Sequence, residues 1–186
     1  LNGQQSNLGP KTDGNASTGV FPYPFTSPTV PIGNIERRLQ IQHTDLDPAL
    51  NAGAVYFAEG QYITQDDATA GTDNNNASYR RVAFSQNGST YTASVSATFP
   101  TVRGSPGIQA WKDSDPTVTL YNVDVAGDGR IIVGYKMTDI GGGWFHHEFA
   151  VQNLNSHRSM GGFTVPFAAG IQVQNIGFHD SQFHSS

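Results

Sequence analysis

The sequence predicts an all-β domain, an antiparallel β-sandwich of about nine strands with an irregular N-terminal arm. Three observations carry this expectation. Short runs of alternating apolar and polar residues recur roughly every 8 to 12 residues, the spacing of a sandwich or barrel. Turn-forming glycine clusters separate those runs. The composition, with 21 Gly and 10 Pro in 186 residues, suits turns far better than a helical bundle. With 37% hydrophobic residues the chain can bury a core, and its length points to one domain.

Residues 1–34 read as the arm, because Gly, Asn, Ser and Pro are dense there and no period of 2 or 3.6 persists. Within it, Phe21, Pro22, Tyr23, Pro24 and Phe25 alternate ring with proline. Proline fixes φ, so this stretch is expected to be extended, with its rings docked on the domain or on a neighbouring subunit.

Residues 35–186 form the expected sandwich. Strand-like alternation occurs at Leu39 and Ile41, Val55 and Phe57, Val82 and Phe84, Tyr91 to Phe99, Val118 and Leu120, and Ile131 to Met137. It continues at Phe145 to Val151, Phe163 to Phe167, and Ile171 with Val173. Asn87-Gly88, Gly127-Asp128-Gly129, Gly141-Gly142-Gly143, Gly161-Gly162 and Ala169-Gly170 supply the turns. One short helical turn is expected near Asp66 to Ala70, capped by Thr64. No solenoid or propeller period is present.

The charge pattern excludes several functions. A net charge of −5, with ten scattered Lys and Arg, argues against a nucleic-acid groove. No apolar run approaches the roughly 20 residues of a helical membrane span. The absence of cysteine rules out disulfides, thiolate metal sites and cysteine nucleophiles within these residues. Only 13% of residues are charged, and the wealth of Ser, Thr, Asn and Gly is the look of a secreted or cell-surface protein. The chain starts at Leu1 without a signal-peptide pattern, so a processed product or a piece of something longer is expected. Asn-x-Ser sequons at Asn15, Asn76 and Asn87 bear on glycosylation in a eukaryotic host alone.

The main chemical signal is the histidine density of the C-terminal third: His146, His147, His157, His179 and His184. In an extended Trp144–Gln152 segment, His146 and Glu148 share one face, and His147 shares the other with Phe145 and Phe149. His146, Glu148, His179 and His184 are therefore the candidate ligands of a transition metal, with Asp180 adjacent. The plainer alternative makes His146 and Glu148 solvated surface groups and His147 a half-buried ring. Asp45, Asp47, Asp113, Asp115, Asp124 and Asp128 offer the oxygens that calcium takes, although no twelve-residue calcium loop is present and ordinary Asx turns also account for them. The polar stretch from Asp66 and Asp67 to Asp73 and Asn76 is open to the same two readings.

No G-x-S-x-G elbow, P-loop or distinctive carboxylate pair is found. Trp111 and Trp144 are the candidate sugar-stacking residues, with Tyr56, Tyr62 and Tyr135 as further rings; the alternative is that most belong to the core.

The segments FPYPF, DLDPALNAGAVYFAEGQYIT, NNNASYRRV, AWKDSDPTVTL, GDGRIIVGYKMTDIGGGWFHHEFAVQNLNSHRS and GFHD stand in this order over most of the chain. Together they resemble a group of uncharacterised secreted bacterial proteins. The resemblance implies an exported, β-rich protein whose relatives extend beyond both ends of this chain. It points to His146, Glu148, His179 and His184 as residues to test and carries no established activity.

The resulting expectation is a non-catalytic extracellular module that assembles with itself or binds a glycan or another partner. The rival is a metal-dependent extracellular enzyme using the His/Glu set, with a transition metal or calcium as cofactor.

Overall fold

The computed structural model of the chain describes residues 14–21, 41–88, 90–158 and 160–179. Seven strands form among these residues, arranged as two antiparallel sheets, so the chain is mostly β. In the first sheet β1 (Tyr56–Gln61) and β3 (Thr90–Val95) flank β2 (Ala77–Asn87), and the two-residue β4 (Val102–Arg103) pairs with the start of β2. In the second, β6 (Arg130–Gly141) lies between β5 (Thr119–Asp124) and β7 (Trp144–Asn153).

Turns form at the expected Gly88, Gly127, Gly141, Gly142, Gly143 and Gly170, whereas Gly161 and Gly162 have no positive φ and lie in no turn. Gly88 has φ 61° where β2 passes into β3, and Gly141, Gly142 and Gly143 all have positive φ between β6 and β7. The left-handed region costs glycine no steric penalty, so the β6–β7 connection closes and ten residue pairs follow it.

Among the described residues three short α-helices and a 3-10 turn (Asp73–Asn75) accompany the strands. The expected turn is α2 (Gln65–Ala70), where Thr64 Oγ1 accepts from the Asp67 N–H and Gly71 closes the C-terminus at φ 68°. The helices α1 (His43–Leu46) and α3 (Gln109–Ser114) were not expected. The α3 segment is too short to show a helical period, and a tertiary contact holds it. The Trp111 ring lies over Gly134 of β6, so close that a Cβ there would come within 3.0 Å of it.

The sheets meet at one corner. Ala77 of β2, Ile108, Ile132 of β6 and Leu154 form the buried cluster, with Leu120 and Ala150 packed against it. Polar bridges reinforce this corner. Gln152 Oε1 accepts from Ile108 N at 2.8 Å while its amide donates to Glu59 of β1, and Gln61 Nε2 donates to the Leu154 carbonyl at 2.9 Å.

Among the described residues seven strands form where about nine were expected over the chain, and for one expected strand the cause is local. The run Phe163 to Phe167 contains Pro166, which has no N–H to give a ladder. The segment 160–179 has a single described backbone–backbone bond, from Ile171 N to Ala168 O. Ile41 is outside any strand, and Leu39 lies outside the described residues. Most of the arm, including Pro22 to Phe25, lies outside them too.

Candidate functional site

Strand register divides the second sheet into two faces. The inner face carries Leu120, Ile132, Gly134 and Ala150, which turn toward the core and α3. The outer face carries Tyr121 and Val123 of β5, Val133, Tyr135 and Met137 of β6, and Phe145, His147, Phe149 and Val151 of β7. Directly opposed residues of an antiparallel pair share a face, so pairing alone gathers these side chains. Tyr121, Val123, Met137, Phe145, Phe149 and Val151 are all exposed. Asp139 is the one Asp, Glu, Lys or Arg among the paired residues of this face.

An aromatic cluster organises its centre. Tyr135 stacks on Phe149 with ring centroids 5.1 Å apart and on His147 at 5.9 Å, and its hydroxyl lies 3.1 Å from His147 Nδ1. The sharing of a face by Phe145, His147 and Phe149 is therefore as the alternation requires. Phe163 and Phe167 approach edge-on, Phe163 to Phe149 at 5.2 Å and Phe167 to His147 at 5.9 Å. Four residues of the C-terminal segment thus span two residues of β7. A paired strand would advance residue for residue, so the segment crosses the face obliquely.

The candidate metal ligands occupy separate settings. His146 and Glu148 lie on the inner-face register, opposite Thr138 and Lys136, with His146 exposed. Lys136 Nζ lies 2.8 Å from Asp115 and 3.8 Å from Glu148, so a cation already faces both carboxylates. That contact with Lys136, followed by hydrogen bonds from Thr117, holds the Asp115 carboxyl down at about 2. His179 Nε2 lies 3.2 Å from Asp45 of α1. His184 and Asp180 lie outside the described residues. Among the described residues, no three His, Cys, Asp or Glu side chains gather as a metal ion would require.

The calcium candidates serve as turn and ion-pair acceptors. Asp47 Oδ1 accepts from Ala49 N, Asp115 Oδ1 from Thr117, and Asp124 from the Arg130 guanidinium at 2.6 Å. Asp113 accepts from the Tyr79 hydroxyl. Burial, followed by this contact, pushes Tyr79 up to about 12, while the same hydrogen bond leads the lowering of Asp113.

The two sugar-stacking candidates are not brought to one surface. Trp111 is half-buried on Gly134, whereas Trp144 is exposed beside the glycine turn. Tyr62 is 81% exposed at the rim of an open cleft of about 690 Å³, which Asp67, Asn75, Asn76, Ser78 and Arg103 also line.

One polar hub went unread in the sequence. Asn155 is 1% exposed; its Oδ1 accepts from Arg130 N at 2.7 Å, and its amide donates to Asp73 and Asn74 beside the first sheet. Neighbouring Ser156 donates to Asp128, which also accepts from the backbone N–H groups of His157 and Arg158. The Ser156 hydroxyl leads the effects that hold Asp128 at about 2. With Asp128 and Ser156 bonded directly, and the described His157 contact made through its backbone N–H, the group is a structural clasp. The available signal was Asp128 in a glycine turn together with the polar run 153–158 after a strand, but the partners at 73 and 74 had no local mark.

No protein-family model matches the chain, nor does any curated protein or solved structure.

Proposed function

We propose that the chain is a secreted or cell-surface, non-catalytic β-sandwich module that assembles with copies of itself through the outer face of its second sheet. The observation that carries this reading is the outer face itself, a largely apolar and aromatic surface of a three-stranded sheet that leaves Tyr121, Val123, Met137 and Phe145 exposed beside the Phe163 and Phe167 contacts. Contiguous apolar surface of this kind marks an interaction site in soluble proteins, whereas singly scattered apolar residues do not. A second copy is the favoured occupant because two such faces meet without a row of opposed like charges: Asp139, near one end, is the sole charged residue of the paired set. Association of identical faces also gives the two-fold symmetry commonest among oligomers.

The test is charge insertion at exposed positions. Tyr121→Lys and Val123→Lys leave the inner face untouched and are expected to convert an assembling chain into one that elutes and scatters light as a monomer. Unchanged association in both variants would overturn the use of this face.

A glycan-binding reading is supported by the open polar cleft, whose Tyr62 ring and Asn75, Asn76 and Arg103 side chains suit stacking and hydrogen bonding to a sugar. Retention on polysaccharide that Tyr62→Ala abolishes would favour it. For the metal-enzyme alternative, stoichiometric metal in protein purified without added ions, lost on His146→Ala, would be the supporting result.

A further inference from the structure

We infer that residues 160–179 form an exchange arm, so that in the assembled protein each copy lays this segment on the outer face of the other. The inference rests on the self-assembly reading and names the element that would carry it. Described contacts between the segment and its own domain are few. Phe163 meets Phe149, Phe167 meets His147, and His179 meets Asp45; all are side-chain contacts. The described backbone–backbone hydrogen bonds include none from the segment to either sheet. It nevertheless carries the apolar residues of a buried strand: Ile171 and Val173 are exposed, Ile176 is 86% exposed and Phe178 is 95% exposed.

Two features make exchange the economical outcome. The segment follows the Asn155–Ser156 clasp and begins with Met160, Gly161 and Gly162; neither glycine has a heavy atom within 4 Å of its added-Cβ position, so this stretch can redirect the chain without disturbing the clasp. The outer face already accommodates Phe163 and Phe167, and an identical face on a second copy offers the same fit. Exchange on an identical face would then reproduce the Phe163 and Phe167 contacts and add the contact between the two domains that it brings together. Chain identity supplies the complementarity, since each ring pocket is repeated in the partner.

The natural absence of cysteine makes the test clean. Phe149→Cys and Phe163→Cys chains are prepared separately, mixed, unfolded and refolded together, then treated with a short bismaleimide. Exchange predicts a covalent dimer linked from position 149 to position 163, at several times the yield from either variant alone. A mixture yielding no more dimer than the single variants, with Phe149→Cys/Phe163→Cys linking within one chain, would overturn it. If one of these variants does not refold, His147→Cys with Phe167→Cys applies the same test to the second ring contact. A chain that is dimeric by mass yet links only internally would overturn exchange and leave assembly through the face standing. A chain that is monomeric throughout would overturn both.

Discussion

Gly129 sits against the backbone of Asn155 so closely that a Cβ added to it would lie 2.5 Å from the Asn155 carbonyl carbon. The contact locks the β5–β6 turn onto the stretch after β7, where Asn155 in turn holds Asp73 and Asn74. One missing side chain thus supports the clasp between the two sheets.

Gly129→Ala is therefore expected to destabilise the domain by about 1–3 kcal/mol, the usual cost of forcing extra atoms into a close-packed site. Urea unfolding checks this. Backbone cannot retreat as a flexible side chain can, so the loss should fall at the upper end of that range.

Acid stability should depend on Asp128 and Asp115. Each carboxyl is held at about 2, below its ordinary value of 3.8. The unfolded chain consequently binds more protons in that window, so the stabilisation is complete above 3.8 and lost as pH falls through about 2. Asp128→Asn should weaken the fold at neutral pH and flatten the acid limb of a stability-versus-pH curve. A limb of unchanged slope would count against the clasp.

Tyr79 should ionise late. Its phenol is pushed up to about 12, first by burial and then by the hydrogen bond it donates to Asp113. Ultraviolet titration should show a component near this pH that Tyr79→Phe removes. The substitution should cost on the order of 1 kcal/mol, because exposed Asp113 can regain water when the hydroxyl is lost.

The two tryptophans should respond differently. Trp111→Ala empties the space over Gly134 and is expected to cost about 3 kcal/mol. Trp144→Ala removes an exposed ring, and a loss of roughly 1 kcal/mol or less is expected. Thermal unfolding of both variants separates a packing role from a surface one.

Local features were legible in the sequence. The Thr64 cap needs an acceptor three residues before an N–H, and the face shared by Phe145, His147 and Phe149 needs only strand alternation. Long-range features were not. Helix α3 depends on Trp111 meeting Gly134, and the clasp joins residues 73, 128 and 155 from distant parts of the chain. Sequence density misleads in the other direction as well. His146 lies opposite Thr138 on the second sheet while His179 pairs with Asp45 of α1, so histidines of the same third of the sequence have separate described partners. The strand-like run 163–167 shows the same limit, since alternation was present but Pro166 deprived it of a ladder donor.

Self-association through the outer face is tested most directly by sedimentation equilibrium of the unaltered chain over a wide concentration range. The apparent mass should rise from the 19.9 kDa of one chain toward twice that value. A single species of 19.9 kDa at every concentration would contradict the proposal.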